Sequence, residues 1–171
     1  MDYRERLKNI NTFIFDYDGV LSDGRVFFAD DGQQIRNGNV KDGYSIQLAQ
    51  KLGFRITIIS GATSPGLIKR CKLFNVDDYF LASHNKIEVY ENFKKKYKLL
   101  DKEILYMGDD IPDIKVMERA GLSCCPRDAA PEVQKVSHYI SHKNGGKGCV
   151  RDIIEQVLKS QNKWLTDEAY N

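Results

Sequence analysis

Short apolar runs alternate along the chain with stretches in which apolar residues recur every three or four positions. This is the pattern of parallel strands joined by helices. The first run, Thr12-Phe13-Ile14-Phe15, stops at Asp16, and the second, Arg55-Ile56-Thr57-Ile58-Ile59, stops at Ser60. A weaker third run is Tyr79-Phe80-Leu81, and a fourth, Ile104-Leu105-Tyr106-Met107, stops at Gly108-Asp109-Asp110. Between them, Ile46, Ala49 and Leu52 fall at helical spacing within 44–52, as do Ile87, Tyr90, Phe93 and Tyr97 within 87–97. Both stripes read as core faces. The pattern predicts an α/β fold, a Rossmann-like parallel sheet flanked by helices.

One segment breaks the alternation. Residues 25–29 and 33–36 flank Asp30-Asp31-Gly32, and an Asp-Gly pair between two short extended runs predicts a β-hairpin, a flap over about 25–37. Lying between the first strand and its helix, it is expected to project from the C-terminal edge of the sheet. Near the other end, Asn144-Gly145-Gly146-Lys147-Gly148 reads as a flexible hinge before a last helix over 150–159, within a C-terminal tail of 144–171. No repeat, low-complexity tract or linker divides residues 1–171, which read as a single domain.

Composition narrows the class. With 42% apolar and 29% charged residues the chain is globular and not disordered. A formal charge of +2 makes no case for a nucleic-acid partner, and Lys94, Lys95 and Lys96 suit the solvated face of an amphipathic helix. Adjacent Cys124 and Cys125, with Cys71 and Cys149, show no zinc spacing and read as buried free thiols of a reducing compartment. The N-terminus is polar, and no apolar run approaches the roughly 20 residues that span a membrane. A cytoplasmic protein without a membrane partner is expected.

Polar residues gather where the apolar runs stop. In an open parallel sheet those ends share one edge, where ligands bind, so Asp16, Asp18, Ser60, Asp109 and Asp110 can converge. Any single Asp after a strand is commonly a cap or turn residue. Four strand ends closing on such groups are harder to explain that way. Asp16 and Asp18 would repel one another without a cation, and Asp109 would complete a hard oxygen site of the kind magnesium prefers. Magnesium would screen phosphate charge and let one carboxylate attack phosphorus. Asp18 could then protonate the leaving alcohol and later deprotonate water. Ser60 offers a hydroxyl and Lys86 a cation to the phosphoryl oxygens, although Lys86 also suits an ordinary surface position in a helix's first turn.

In that order, Phe15-Asp16-Tyr17-Asp18-Gly19-Val20-Leu21-Ser22, Ser60-Gly61, Lys86 and Gly108-Asp109-Asp110-Ile111-Pro112-Asp113 resemble the four motifs of the haloacid dehalogenase superfamily. The resemblance implies Asp16 as nucleophile and Asp18 as general acid/base. It implies magnesium held by Asp16, Asp109 and the backbone carbonyl of Asp18, with Asp110 and Asp113 at or just outside the ligand shell. Ser60, Gly61 and Lys86 would bind the phosphoryl group.

Residues 18–24, 39–44 and 145–151 are similar to a capless subgroup that hydrolyses an eight-carbon keto-deoxy sugar acid phosphate in lipopolysaccharide synthesis. Only 41 residues lie between Asp18 and Ser60 and 25 between Ser60 and Lys86, and neither gap has room for a cap domain. Members of that subgroup form homotetramers through their hairpins, and a neighbour's tail closes the site. The apolar Val26-Phe27-Phe28 strand suits such an interface. The resemblance therefore implies a small sugar acid phosphate as substrate, with Lys147 and Arg151 reaching it once the hinge swings.

Departures fall on the region expected to read the sugar. Ala62 stands where the subgroup usually has Arg, and Ala82 and Asn85 where it often has Gly and Asp. A nine-carbon sugar acid phosphate is an alternative substrate. A receiver domain or an inactive phospho-acceptor module is an alternative of another class, although a receiver carries its acidic pair first and its Ser/Thr and Lys last.

Overall fold

The run Thr12–Phe15 is apolar at every position because the strand it forms, β1, is covered on both faces. Phe13 and Phe15 point into one buried cluster and Ile14 into another. The computed structural model describes residues 2–76 and 78–170. After β1 come the hairpin strands β2 (Phe27–Phe28) and β3 (Gln34–Ile35), then β4 (Arg55–Ile59), β5 (Asp78–Phe80), β6 (Ile104–Met107), β7 (Leu122–Cys125) and β8 (Tyr139–Ile140). The helices are α1 (Tyr3–Leu7), α2 (Val40–Lys51), α3 (Pro65–Leu73), α4 (Lys86–Tyr97), α5 (Ile114–Arg119), α6 (Pro131–Val136) and α7 (Cys149–Ser160).

Six strands form one sheet in the order β5-β4-β1-β6-β7-β8, every pair parallel. From β1 the chain winds outward through β4 and β5, then returns to the opposite side of β1 at β6. That reversal leaves a crevice beyond the carboxyl ends of β1 and β6, where the helices diverge. Residues of α1, α2, α3 and α7 fill one face, and those of α4, α5 and α6 the other. Among the described residues, no helix is long and apolar enough to cross a membrane. All four cysteines are buried free thiols.

The strands after which chemistry was expected lie where the apolar runs predict them, with the third starting one residue early. Helix α2 starts at Val40, earlier than its apolar stripe, because Asn39 caps it by accepting from the amides of Lys41 (2.8 Å) and Asp42 (3.4 Å). The hairpin forms, but its strands are only two residues long. Strand β7 escaped the pattern because Ser123, Cys124 and Cys125 disguise a fully buried run.

The hinge expected at 144–148 is instead a packed joint. A Cβ on Gly145 would lie 1.9 Å from the carbonyl oxygen of Gly19, and one on Gly146 would lie 2.6 Å from the amide of Asp23. Gly146 donates to Val20 O at 2.9 Å, and Gly145 donates to Asp128 Oδ1 at 2.9 Å. Beyond the joint, α7 buries Val150, Ile153, Ile154, Val157 and Leu158 against the sheet. Gly148 lacks a side chain to cap that helix, and the buried Asp42 takes the role, its Oδ1 accepting from Arg151 N at 2.7 Å.

Gly145→Ala should therefore cost about 3 kcal/mol and lower Tm by roughly 6–12 °C, since backbone must move to admit the methyl group. Gly66→Ala, inside α3 with only Ser64 Oγ near at 3.8 Å, should raise stability by up to about 1 kcal/mol. Calorimetry on both variants decides: small equal shifts would mean that 144–148 is loose.

Candidate active site

Asp16 leaves β1 with its amide bound to Met107 O at 3.0 Å, so this residue is tied directly to the end of β6. The chain then turns back over 17–21. Gly19 has φ +83°, and a Cβ there would lie 1.9 Å from Asp109 Oδ2. Only glycine lets this loop approach the carboxylate so closely. Asp16, Asp109 and Asp113 consequently bring carboxylate oxygens within 4.8 Å of one another.

Asp113 organises the cluster. Its Oδ1 accepts from Lys86 Nζ at 2.7 Å and from Tyr106 OH at 2.5 Å, and its Oδ2 from the amides of Asp109 (3.1 Å) and Asp110 (3.4 Å). Lys86 is not a surface lysine. Its side chain is 6% exposed, and Nζ also lies 3.1 Å from Asp16 Oδ1. Asp110 is exposed and caps the turn at 111–113, its Oδ1 accepting from Ile111 N at 2.8 Å. The two acids whose place relative to the metal was open thus separate: Asp113 is inside the cluster, and the Asp110 side chain is engaged as a cap.

Three carboxylates share one ammonium, and the electrostatics follow. Burial, then the charge of Asp113, push the Asp16 carboxyl well above the usual carboxylate range against the opposing pull of Lys86. Burial and Asp113 likewise push Asp109 up to about 7. Burial alone would lower the Lys86 ammonium, but Asp16 and Asp113 outweigh it and the net shift is upward. Surplus negative charge on hard oxygens in an open crevice fits a magnesium ion. The Asp18 carboxylate does not join the cluster. Arg36 Nε donates to its Oδ1 at 2.7 Å and its Oδ2 at 3.0 Å, leaving the Asp18 backbone as its available donor to a metal.

Ser60 ends β4 with its Oγ accepting from Ala62 N at 3.2 Å. With Gly61, Lys86 and the five acids of the first and last motifs it lines an open pocket of about 430 Å³. Ala82 N donates to Ala62 O at 3.1 Å, so two positions that depart from the resembled subgroup meet at the pocket's edge. Lys147 and Arg151 do not line it. Lys147 Nζ lies 3.8 Å from Asp23, and the Arg151 guanidinium stacks over Trp164 at 5.3 Å and Tyr44 at 5.7 Å. Their expected reach is to the site of an adjacent subunit, and in this single chain Gly145 and Gly146 hold the segment against the loop that carries Asp18. Sequence reasoning missed Arg36 and Tyr106, whose side chains carry no motif. Tyr106 was within reach of pattern alone, since alternation along β6 sends its ring opposite Met107.

A family model of haloacid dehalogenase-like hydrolases matches residues 80–153. The chain is 33% identical over 164 residues to 3-deoxy-D-manno-octulosonate 8-phosphate phosphatase of Salmonella typhi, covering 96% of this chain and 86% of that one. The solved structure of the phosphatase of that name from Yersinia pestis superposes with a TM-score of 0.93 at 30% identity, covering 95% of this chain and 88% of the other. The one from Moraxella catarrhalis, in complex with magnesium, phosphate and KDO, gives 0.92 at 30% identity, covering 95% and 93%. A receiver domain is thereby set aside. With relatives this similar along nearly its whole length, a carboxylate crevice suited to magnesium and the four motifs in order, the chain belongs to the haloacid dehalogenase-like hydrolases as one of their phosphatases.

Proposed function

We propose that the protein hydrolyses 3-deoxy-D-manno-octulosonate 8-phosphate to the free sugar acid and inorganic phosphate through a phosphoryl-aspartate on Asp16, as a cytoplasmic step of lipopolysaccharide synthesis. The observation that carries the mechanism is the placement of the Asp16 carboxylate, buried at the end of β1 and 3.1 Å from Lys86 Nζ in a pocket shared with Ser60. An oxygen of Asp16 attacks phosphorus while the bond from phosphorus to the sugar oxygen breaks. Asp18 gives its proton to that departing oxygen. Water then attacks the phosphoryl group, Asp18 takes its proton, and Asp16 is released with phosphate. Lys86 and the Ser60 hydroxyl hold the phosphoryl oxygens, and Asp113 holds Lys86. Magnesium, held by Asp16, Asp109 and the Asp18 carbonyl with Asp113 adjoining, supplies charge neutralisation when bound.

The assembly belongs to the same reading. Phe27, Phe28 and Ile35 are 61%, 75% and 55% exposed on the hairpin, an apolar cluster that pairing with other copies would cover in a homotetramer. Phe27→Ser with Phe28→Ser should shift the protein to smaller species in light scattering. An unchanged mass would remove the hairpin from the interface.

Against a panel of sugar phosphates, kcat/KM should be highest for 3-deoxy-D-manno-octulosonate 8-phosphate, and Asp16→Asn should lower it by roughly 10⁴-fold or more with the fold intact. Preference for a nine-carbon sugar acid phosphate would change the substrate and leave the mechanism. Activity of the Asn variant within about tenfold of wild type would dismiss Asp16 as nucleophile.

The metal leaves a mark on stability. Asp109 protonates at about 7 in the folded chain and near 3.9 when unfolded. Between those values the folded state binds more protons, so stability falls as pH rises through that window and levels above it. Asp16 acts in the same direction. Chelated protein should therefore melt lower at about pH 7.5 than at about pH 5.5, and magnesium should raise Tm at the higher pH. Asp42, pushed up to about 6 by burial, adds to the slope below that pH and does not respond to magnesium. A chelated protein that melts higher at the higher pH would contradict the account.

A further inference from the structure

Arg36 is out of place on its strand end. Residues 31–35, 37 and 38 of the hairpin are all exposed, yet the Arg36 side chain is only 7% exposed. It runs from the hairpin into the body of the protein and ends on Asp18. One Nε–H straddles both carboxylate oxygens at 2.7 and 3.0 Å, and Ser22 Oγ donates to Oδ1 at 3.2 Å. Its Nη1 is buried with no partner. Burying a guanidinium with one nitrogen unsatisfied costs stability, so fastening the hairpin is a poor reason for the arrangement. The hairpin root already has a neutral tie, Asp23 N donating to Asn37 Oδ1 at 3.1 Å.

The surroundings supply a better reason. Asp18 adjoins three carboxylates whose ammonium, Lys86, is already committed to Asp16 and Asp113. Among the described residues, Arg36 is the cation paired with Asp18. Without it, the Ser22 hydroxyl would be the one side-chain group among the described residues left holding the Asp18 carboxylate. Held at both oxygens, the carboxylate has a set direction, and Oδ2, which among the described residues accepts only from Arg36, keeps a further lone-pair site for the travelling proton.

We propose that Arg36 is the positioning residue for proton transfer by Asp18, aiming the carboxyl group at the oxygen that leaves phosphorus. The inference rests on the acid/base role given to Asp18 above. It assigns Arg36 no contact with the reacting atoms. Asp18 passes its proton to the departing oxygen as the phosphorus–oxygen bond breaks, and the carboxylate left behind, still aligned by Arg36, accepts the proton of the attacking water. The hairpin thereby becomes part of the catalytic apparatus, because Arg36 immediately follows β3.

The test uses phenyl phosphates of similar shape whose leaving phenols range from strongly to weakly acidic. A good leaving group needs little proton donation and a poor one needs much. The quantity read is kcat/KM, which covers the chain of steps through departure of the phenol. Wild type should show a shallow dependence on leaving-group acidity. Arg36→Gln should steepen it, with phenyl phosphate falling roughly 10- to 100-fold and p-nitrophenyl phosphate staying within about threefold. Arg36→Lys should recover part of the shallow slope.

Asp18→Asn is the reference and should be steeper still. A flat series for Asp18→Asn would overturn the acid/base reading itself, and the inference with it. A steep series there with an equal loss on all substrates for Arg36→Gln would overturn only the role of Arg36, making it a brace. Faster turnover in Arg36→Gln would make it a restraint on Asp18 and equally overturn the proposal. Where thermal melting shows Arg36→Gln to be unfolded, Arg36→Met keeps the aliphatic stem and is read in the same way.

Discussion

Three carboxylates crowd around one ammonium at the junction of β1 and β6, and most of the molecule can be understood as the means of holding them there. Left to themselves, Asp16, Asp109 and Asp113 would separate or take up protons. They stay together because each is anchored by something that cannot retreat. Asp16 is bound through its amide to β6, Asp113 is fastened to Lys86, Tyr106 and two backbone amides, and Asp109 is pressed against a glycine. The stability given up at this point is recovered in the two apolar layers, where strands buried on both faces supply the driving force. A protein surface free to relax would not sustain such a charge imbalance.

The same constraint explains which parts of the structure were legible in the sequence. Asp16, Ser60 and Asp109 stand at the ends of apolar runs, so strand periodicity brought them to one edge before any contact was known. Lys86 was legible only by its order among the motifs, because helical spacing alone made it a surface residue. Asp113 lay inside a motif, but its role as hub depends on the face from which Tyr106 projects and on an amide-lined turn. Arg36 was not legible at all. Nothing in its neighbours on the hairpin marks a side chain that reverses inward, since that path depends on the position of Asp18 across a gap of 18 residues.

The glycine cluster near the C-terminus misled for a physical reason. Gly145, Gly146 and Gly148 read as freedom of movement, which is the usual meaning of such a run in isolation. Here the absence of side chains at Gly145 and Gly146 serves approach: the segment is laid against the backbone of the loop carrying Asp18, closer than any Cβ permits. Two sequence segments that carry the resemblance to the capless subgroup, 39–44 and 145–151, meet in one joint, with Asp42 capping α7.

That joint ties the order of synthesis to the onset of activity. The loop bearing Asp18 emerges early from the ribosome, but the carbonyl of Val20 finds its partners Gly146 N and Cys149 Sγ only when a residue 129 positions later has been made. At typical elongation speeds of about 5–20 residues per second, the interval is on the order of ten seconds. During that time the acidic loop lacks its backing, and a nascent chain, or one cut short before α7, holds Asp16 and Asp18 without the wall that shapes their loop. Helix α7 thus supplies the backing of a loop made long before it.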